Sequence, residues 1–75
     1  MHHLRAFERR EVVVVMTENI ALTGTLINVG KDGVTLAEAS VADDRTDGQP
    51  QRIEGMAVIP TSRVMWVQVL GKQDG

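Results

Sequence analysis

Three arginines within six positions, Arg5, Arg9 and Arg10, make the densest positive cluster in the sequence. Helical spacing would place Arg5 and Arg9 on one face, where they could attract a polyanion backbone; the competing reading is a solvated face partly neutralised by Glu8 and Glu11. Asp43, Asp44 and Asp47 form the opposite cluster. They lie in a polar, turn-forming stretch that would position them poorly for general acid or base work, so a solvated acidic loop is the better reading, ahead of a weak cation site. The chain has no cysteine, and its two histidines, His2 and His3, lie at the terminus, where solvated side chains are the simpler reading than a metal site. There is also no glycine-rich phosphate loop after a strand. Neither a nucleophile with its base nor a metal cluster can therefore be assembled. The expectation is a non-enzymatic binding protein with no cofactor and no metal.

Two other residue types bear on binding. Trp66 is the only indole, and it sits inside the apolar run Val64-Met65-Trp66-Val67, which favours packing in a core or subunit interface over base stacking. Phe7 is read as the residue that docks the N-terminal segment. Arg63 could hold a phosphate or pair with a carboxylate such as Asp32, and both readings stay open.

The elements that must position these residues are strands. Eleven valines and four isoleucines stand against one Phe, one Trp and no Tyr in 75 residues, a β-branched enrichment that suits pleated sheet. His3 to Arg10 reads as a short amphipathic helix, too short to persist unless it docks. Strands follow over Glu11 to Met16, apolar on both faces and so expected to be covered on both sides, and over Ile20 to Val29, with Ile20, Leu22 and Leu26 on one face. Thr17-Glu18-Asn19 is the turn between them, with Asn19 suited to a positive φ. Gly24 interrupts the second strand and reads as a bend. Gly30-Lys31-Asp32-Gly33 is a second turn, leading to a strand from Val34 to about Ala39. Ser40 to Arg52 reads as one long loop. A fourth strand from Ile53 stops at Pro60, Thr61-Ser62-Arg63 connects, and a fifth runs from Val64 to Leu70 before a frayed tail, Gly71 to Gly75.

The expected fold is mainly β: a single domain over residues 1–75, with a short N-terminal helix and a five-stranded, strongly bent antiparallel small barrel. A chain of 8.2 kDa buries too little surface for comfortable stability, and without disulfides oligomerisation is the remaining staple. The last two strands are apolar on both faces and poorly guarded at their edges, so another copy is the expected partner, through Val58, Ile59, Met65, Trp66 and Val67. The net charge of −2 excludes a wholly basic nucleic-acid binder but permits a local basic face. No apolar run approaches a membrane span and no secretory signal is visible, so no membrane partner and a cytoplasmic location are expected.

The order of features resembles the Sm-like family, the LSm and Hfq-type proteins. The first Sm motif is similar to Val13 to Ala39, with Met16, Ile20, Leu22, Gly24-Thr25-Leu26 and Val34-Thr35-Leu36-Ala37-Glu38-Ala39. The second is similar to Val58-Ile59-Pro60-Thr61-Ser62-Arg63-Val64-Met65-Trp66-Val67. On this resemblance residues 3–10 are the helix, 11–39 the first motif, 40–52 the variable loop, 53–70 the second motif and 71–75 the tail.

The resemblance implies a homo-oligomeric ring of roughly six or seven subunits binding single-stranded RNA. It raises Lys31, Asp32, Gly33, Thr61, Ser62 and Arg63 from turn residues to pore-loop site candidates. It also lays Arg5, Arg9 and Arg10 on one flat face of the ring. The loops depart from the family pattern: Gly33 stands where uridine-binding members carry a base-reading Asn, and Pro60-Thr61 replaces Arg-Gly. Those departures motivate a second expectation, a ring that binds protein or scaffolds an assembly without RNA recognition. An SH3-like monomeric barrel is a third.

Overall fold

A computed structural model describes residues 2–16, 19–43 and 49–71. A 3-10 helix, His2–Phe7, precedes six strands: β1 (Glu11–Met16), β2 (Ala21–Gly30), β3 (Gly33–Ala42), β4 (Gln51–Arg52), β5 (Met56–Ile59) and β6 (Val64–Val69), with a 3-10 turn, Thr61–Arg63, between the last two. All pairings are antiparallel. The strand order is β4-β3-β2-β1-β6, and β5 lies beside β3 on the same edge as β4.

Alternation builds the core, and bulges decide its phase. Val12 and Val14 of β1, Leu22 and Leu26 of β2, and Val34 and Leu36 of β3 all turn inward and are buried. Ile27 is an extra residue on β2 between the pairs Leu26↔Leu36 and Asn28↔Thr35, so the next inward residue is Val29. On β3 the extra residue falls between Ala37 and Ser40, which moves the inward set from Val34 and Leu36 to Ala39 and Val41. Each single-residue insertion exchanges the two faces of the strand beyond it. On β6, Met65 has no partner between Val15↔Trp66 and Met16↔Val64, so Val64, Val67 and Val69 can all pack against the core.

The β3 insertion lines up with two further irregularities as a corner. Gly24 faces the β3 insertion, and a Cβ on it would come within 2.9 Å of the Ala37 carbonyl oxygen and 3.2 Å of the Ala39 Cα. The expected bend at Gly24 is therefore a close backbone approach that only glycine permits. Across from it Glu38 adopts φ 50°, and on the far edge of β3 the chain breaks at Ile53–Gly55, with the Ile53 N–H donating to the Ala39 carbonyl at 2.8 Å and Gly55 at φ 83°. The sheet folds along this line.

Several expectations need correction. The N-terminal segment is not an α-helix to Arg10: it is a 3-10 helix ending at Phe7. By Arg9 the backbone already belongs to the sheet, since the Arg9 N–H donates to the Leu26 carbonyl at 2.6 Å and the Leu26 N–H to the Arg10 carbonyl at 2.9 Å. Arg9 takes φ 76° to make this bulge. Ladder bonds outcompete a helix too short to nucleate by itself. Phe7 packs against the core as expected. Among the described residues there are six strands rather than five, because β3 extends to Ala42 and Gln51–Arg52 pairs with it, inside the segment expected to be loop. The strand expected from Ile53 starts at Met56, since Ile53–Gly55 form the corner.

The barrel is not closed. β5 and β6 end opposite sides of the sheet, joined by Pro60 and the turn Thr61–Arg63. Nor is β1 covered on both sides: Val12 and Val14 are fully buried, while Val13 and Val15 are only partly so. Asn19 has the expected positive φ of 61°, and the Met16 N–H donates to the Ile20 carbonyl at 2.8 Å across the turn. Thr17, Glu18, Asp44, Asp47 and residues 72–75 lie outside the described residues, as do the side chains of His2, His3 and Leu4.

Candidate functional site

Two polar loops meet at one end of the sheet. Gly30 pairs with Gly33, leaving Lys31 and Asp32 as a two-residue tip, both exposed. The next pair in chain order, Val34↔Ile59, joins this hairpin to β5 immediately before Pro60. Gly33 is buried there with φ 154°, and a Cβ on it would collide with the Ile59 carbonyl oxygen and stand 3.2 Å from the Pro60 Cα. The structure thus sets Gly33 against Ile59 and Pro60, directly before the Thr61–Arg63 turn, with Lys31 and Asp32 at the adjoining tip. It adds that position 33 admits no side chain.

Pro60 is extended, at φ −60° and ψ 142°, and the Arg63 N–H donates back to its carbonyl at 2.9 Å. The Val64 N–H donates to the Thr61 carbonyl and closes the turn. Ser62 and Arg63 are exposed, whereas Thr61 is half-buried. Its Oγ1 is shut off from solvent with no hydrogen-bond partner among the described residues.

The three N-terminal arginines do not share a helix face. Arg5 lies in the last turn of the 3-10 helix, Arg9 in the bulge, and Arg10 at the entry to β1, where its guanidinium Nη2 donates to the Leu70 carbonyl at 3.3 Å. The Leu70 N–H in turn donates to the Glu11 carbonyl at 2.9 Å. Arg10 therefore ties the start of β1 to the end of β6. All three side chains remain exposed.

The apolar surface is concentrated on β5 and β6. Met56, Val58, Met65 and Trp66 are each more than 60% exposed. Of the expected interface set, Val58, Met65 and Trp66 are on this surface. Ile59 is buried in the subunit's own core and Val67 packs against it, because alternation turns both inward. Met56 was missed, although it stands two residues before Val58 and therefore on the same outer face of the strand. Neither β5 nor β6 has a strand on its second side among the described residues. A shallow open cleft at the corner is lined by Glu38, Arg52, Glu54 and Met56 among others. No group of three or more His, Cys, Asp or Glu able to hold a metal occurs among the described residues, and no helix there is long and apolar enough to cross a membrane.

No protein-family model and no curated protein matches the sequence. Solved structures do match the fold. An Sm protein of Pyrococcus abyssii in complex with a uridine heptamer aligns with TM-score 0.79 at 22% identity, over 92% of this chain and 94% of that one. A heptameric archaeal Sm protein aligns with TM-score 0.80 at 17% identity, over 95% of this chain and 100% of the other. A chain of the NatC complex bound to CoA aligns with TM-score 0.74 at 19% identity, over 88% of this chain and 82% of that one. The chain has the Sm-like fold.

Proposed function

We propose that this Sm-like chain is a ring-forming subunit that binds single-stranded RNA. The observation that carries the assembly is the pair of unlike, unprotected edges, β5 at one side of the sheet and β6 at the other, bearing Met56, Val58, Met65 and Trp66. Exposed strand edges template pairing with another chain. When one copy's β5 meets the next copy's β6 the contact is head-to-tail, and such contacts close into a ring when the rotation allows. The heptameric state of an archaeal Sm neighbour supports closure.

A ring repeats the Lys31–Asp32 and Thr61–Arg63 loops once per subunit around one mouth, so weak contacts to a polymer add through effective concentration. The uridine heptamer held by the Pyrococcus abyssii neighbour supports RNA as that polymer. Arg5, Arg9 and Arg10 supply a second positive surface. Light scattering combined with polarisation binding to uridine-rich and adenine-rich RNA tests the reading. The expected result is a particle several times the subunit mass with salt-sensitive affinity. A single-subunit particle, or no binding to either RNA at micromolar ring, would sink it.

A second reading, a ring or module that binds protein, draws on the likeness to a chain within the NatC complex and on the net charge of −2. It gains if Lys31→Ala and Arg63→Ala leave an observed RNA affinity unchanged.

A further inference from the structure

We infer that the corner between β4 and β5 is an acidic seat completed by a second copy of this chain, in which Glu54 pairs with the partner subunit's Arg10; this rests on the head-to-tail assembly proposed above. The contact runs antiparallel, as does every strand pairing within the subunit. Its register then follows from the two strands. β5 has four residues and β6 has six, so only three registers keep the whole of β5 paired. Residues directly opposite one another in an antiparallel pair share a face of the sheet. Met56 and Val58 point outward on β5, as Trp66 and Gln68 do on β6. One of the three registers matches these faces, with Val58 opposite Trp66 of the partner subunit and Met56 opposite Gln68 of the partner subunit. The other two set outward residues against inward ones.

Two residues beyond, Leu70 of the partner subunit falls opposite Glu54. That end of β6 is where the subunit holds an exposed cation: the Arg10 guanidinium Nη2 donates to the Leu70 carbonyl at 3.3 Å. Neighbouring strands lie about 5 Å apart, so a guanidinium held there is within side-chain reach of a carboxylate on the adjoining strand.

The corner suits such a visitor. Between the pairs Ala37↔Met56 and Ser40↔Arg52 the ladder is interrupted by Ile53–Gly55, with Glu38 at φ 50° and Gly55 at φ 83° on its two sides. The resulting open cleft, of about 520 Å³, is lined by Glu38, Arg52, Glu54 and Met56 among others. Its three charged side chains are exposed and sum to one negative charge. A guanidinium can meet a carboxylate through two parallel hydrogen bonds, and the covering strand removes water from around them. At the rim of an apolar contact, a pair of this kind fixes register and partner choice more than it adds affinity.

Two measurements on the full chain test the inference. The chain has no cysteine, so a Glu54→Cys/Leu70→Cys variant reports only the new contact. Opposite Cα atoms in an antiparallel pair stand about 4.5–5.5 Å apart, within disulfide reach, and mild oxidation should give a series of covalent multimers on a non-reducing gel. An intact oligomer that yields no such series overturns the register. Charge reversal reads the pair itself. Arg10→Glu and Glu54→Arg, each with the parent's far-UV circular dichroism, should weaken association by about three- to tenfold in concentration-dependent light scattering at low salt. The Arg10→Glu/Glu54→Arg double variant should return to within about twofold of the parent. A double variant as weak as the two single effects combined shows that the pair does not form, and leaves the assembly standing. A parent chain that scatters as one subunit overturns the assembly and the inference together.

Discussion

Strands β2 and β3 make one long bent hairpin whose inward residues Leu26, Val34 and Leu36 are fully buried. Strands β5 and β6 are short edges whose outward residues Met56, Val58, Met65 and Trp66 are mostly exposed, although each strand also sends residues inward. Both regions are apolar in sequence. The difference teaches that apolar content has two uses here: the hairpin spends it inside the subunit, and the edges retain it for a surface that another copy can cover. A lone subunit of this design would carry aromatic and thioether side chains in water, which soluble monomers generally avoid in patches.

Substitutions that separate the two regions give the sharpest break. Leu26→Ala should destabilise the subunit by about 2–5 kcal/mol, seen as loss of the folded state in thermal or denaturant unfolding, because it leaves a cavity in the hairpin core. Trp66→Asp should instead leave far-UV circular dichroism intact while light scattering falls to the mass of one subunit. If Trp66→Asp left the oligomer intact, the edges would not be its interface.

Gly33→Ala comes next, and it sharpens the boundary between the regions because position 33 lies where the hairpin meets β5. The added methyl meets backbone rather than a yielding side chain, so a loss of about 1–3 kcal/mol in melting stability is expected. Arg10→Ala should cost no more than about 1 kcal/mol, since its bond to the Leu70 carbonyl is a single exposed contact. Smallest, and opposite in sign, Arg9→Gly should stabilise by about 0.5–1 kcal/mol by relieving the left-handed φ of 76°. Loss of stability in that variant would show that the Arg9 side chain matters more than its backbone.

Much of the hairpin was legible beforehand. The alternation of Leu22, Gly24 and Leu26, the glycine pair around Lys31-Asp32, and the stop at Pro60 each mark a local conformational need that the chain meets in the same place. Hidden from the sequence were the insertions at Ile27, between Ala37 and Ser40, and at Met65, because a bulge leaves composition unchanged and shows itself only as a phase shift against a neighbouring strand. The same limit explains Ile59 and Val67. A run apolar at every position does not say which half faces inward.

The N-terminal segment shows where local reasoning stopped. Leu4, Phe7 and the arginines satisfied a helical pattern, yet the free edge of β2 at Leu26 offered two ladder hydrogen bonds that a helix of that length could not match. By itself the sequence determined that this chain is strand-rich, turns at Asn19 and at Gly30–Gly33, has no cysteine chemistry and carries more apolar strand surface than one subunit can bury. Only the tertiary structure decided which apolar residues stay outside, that position 33 is closed to a side chain, and that the sheet ends in two unlike open edges. Local propensity acts along the chain, whereas burial and closure depend on which strands become neighbours in space.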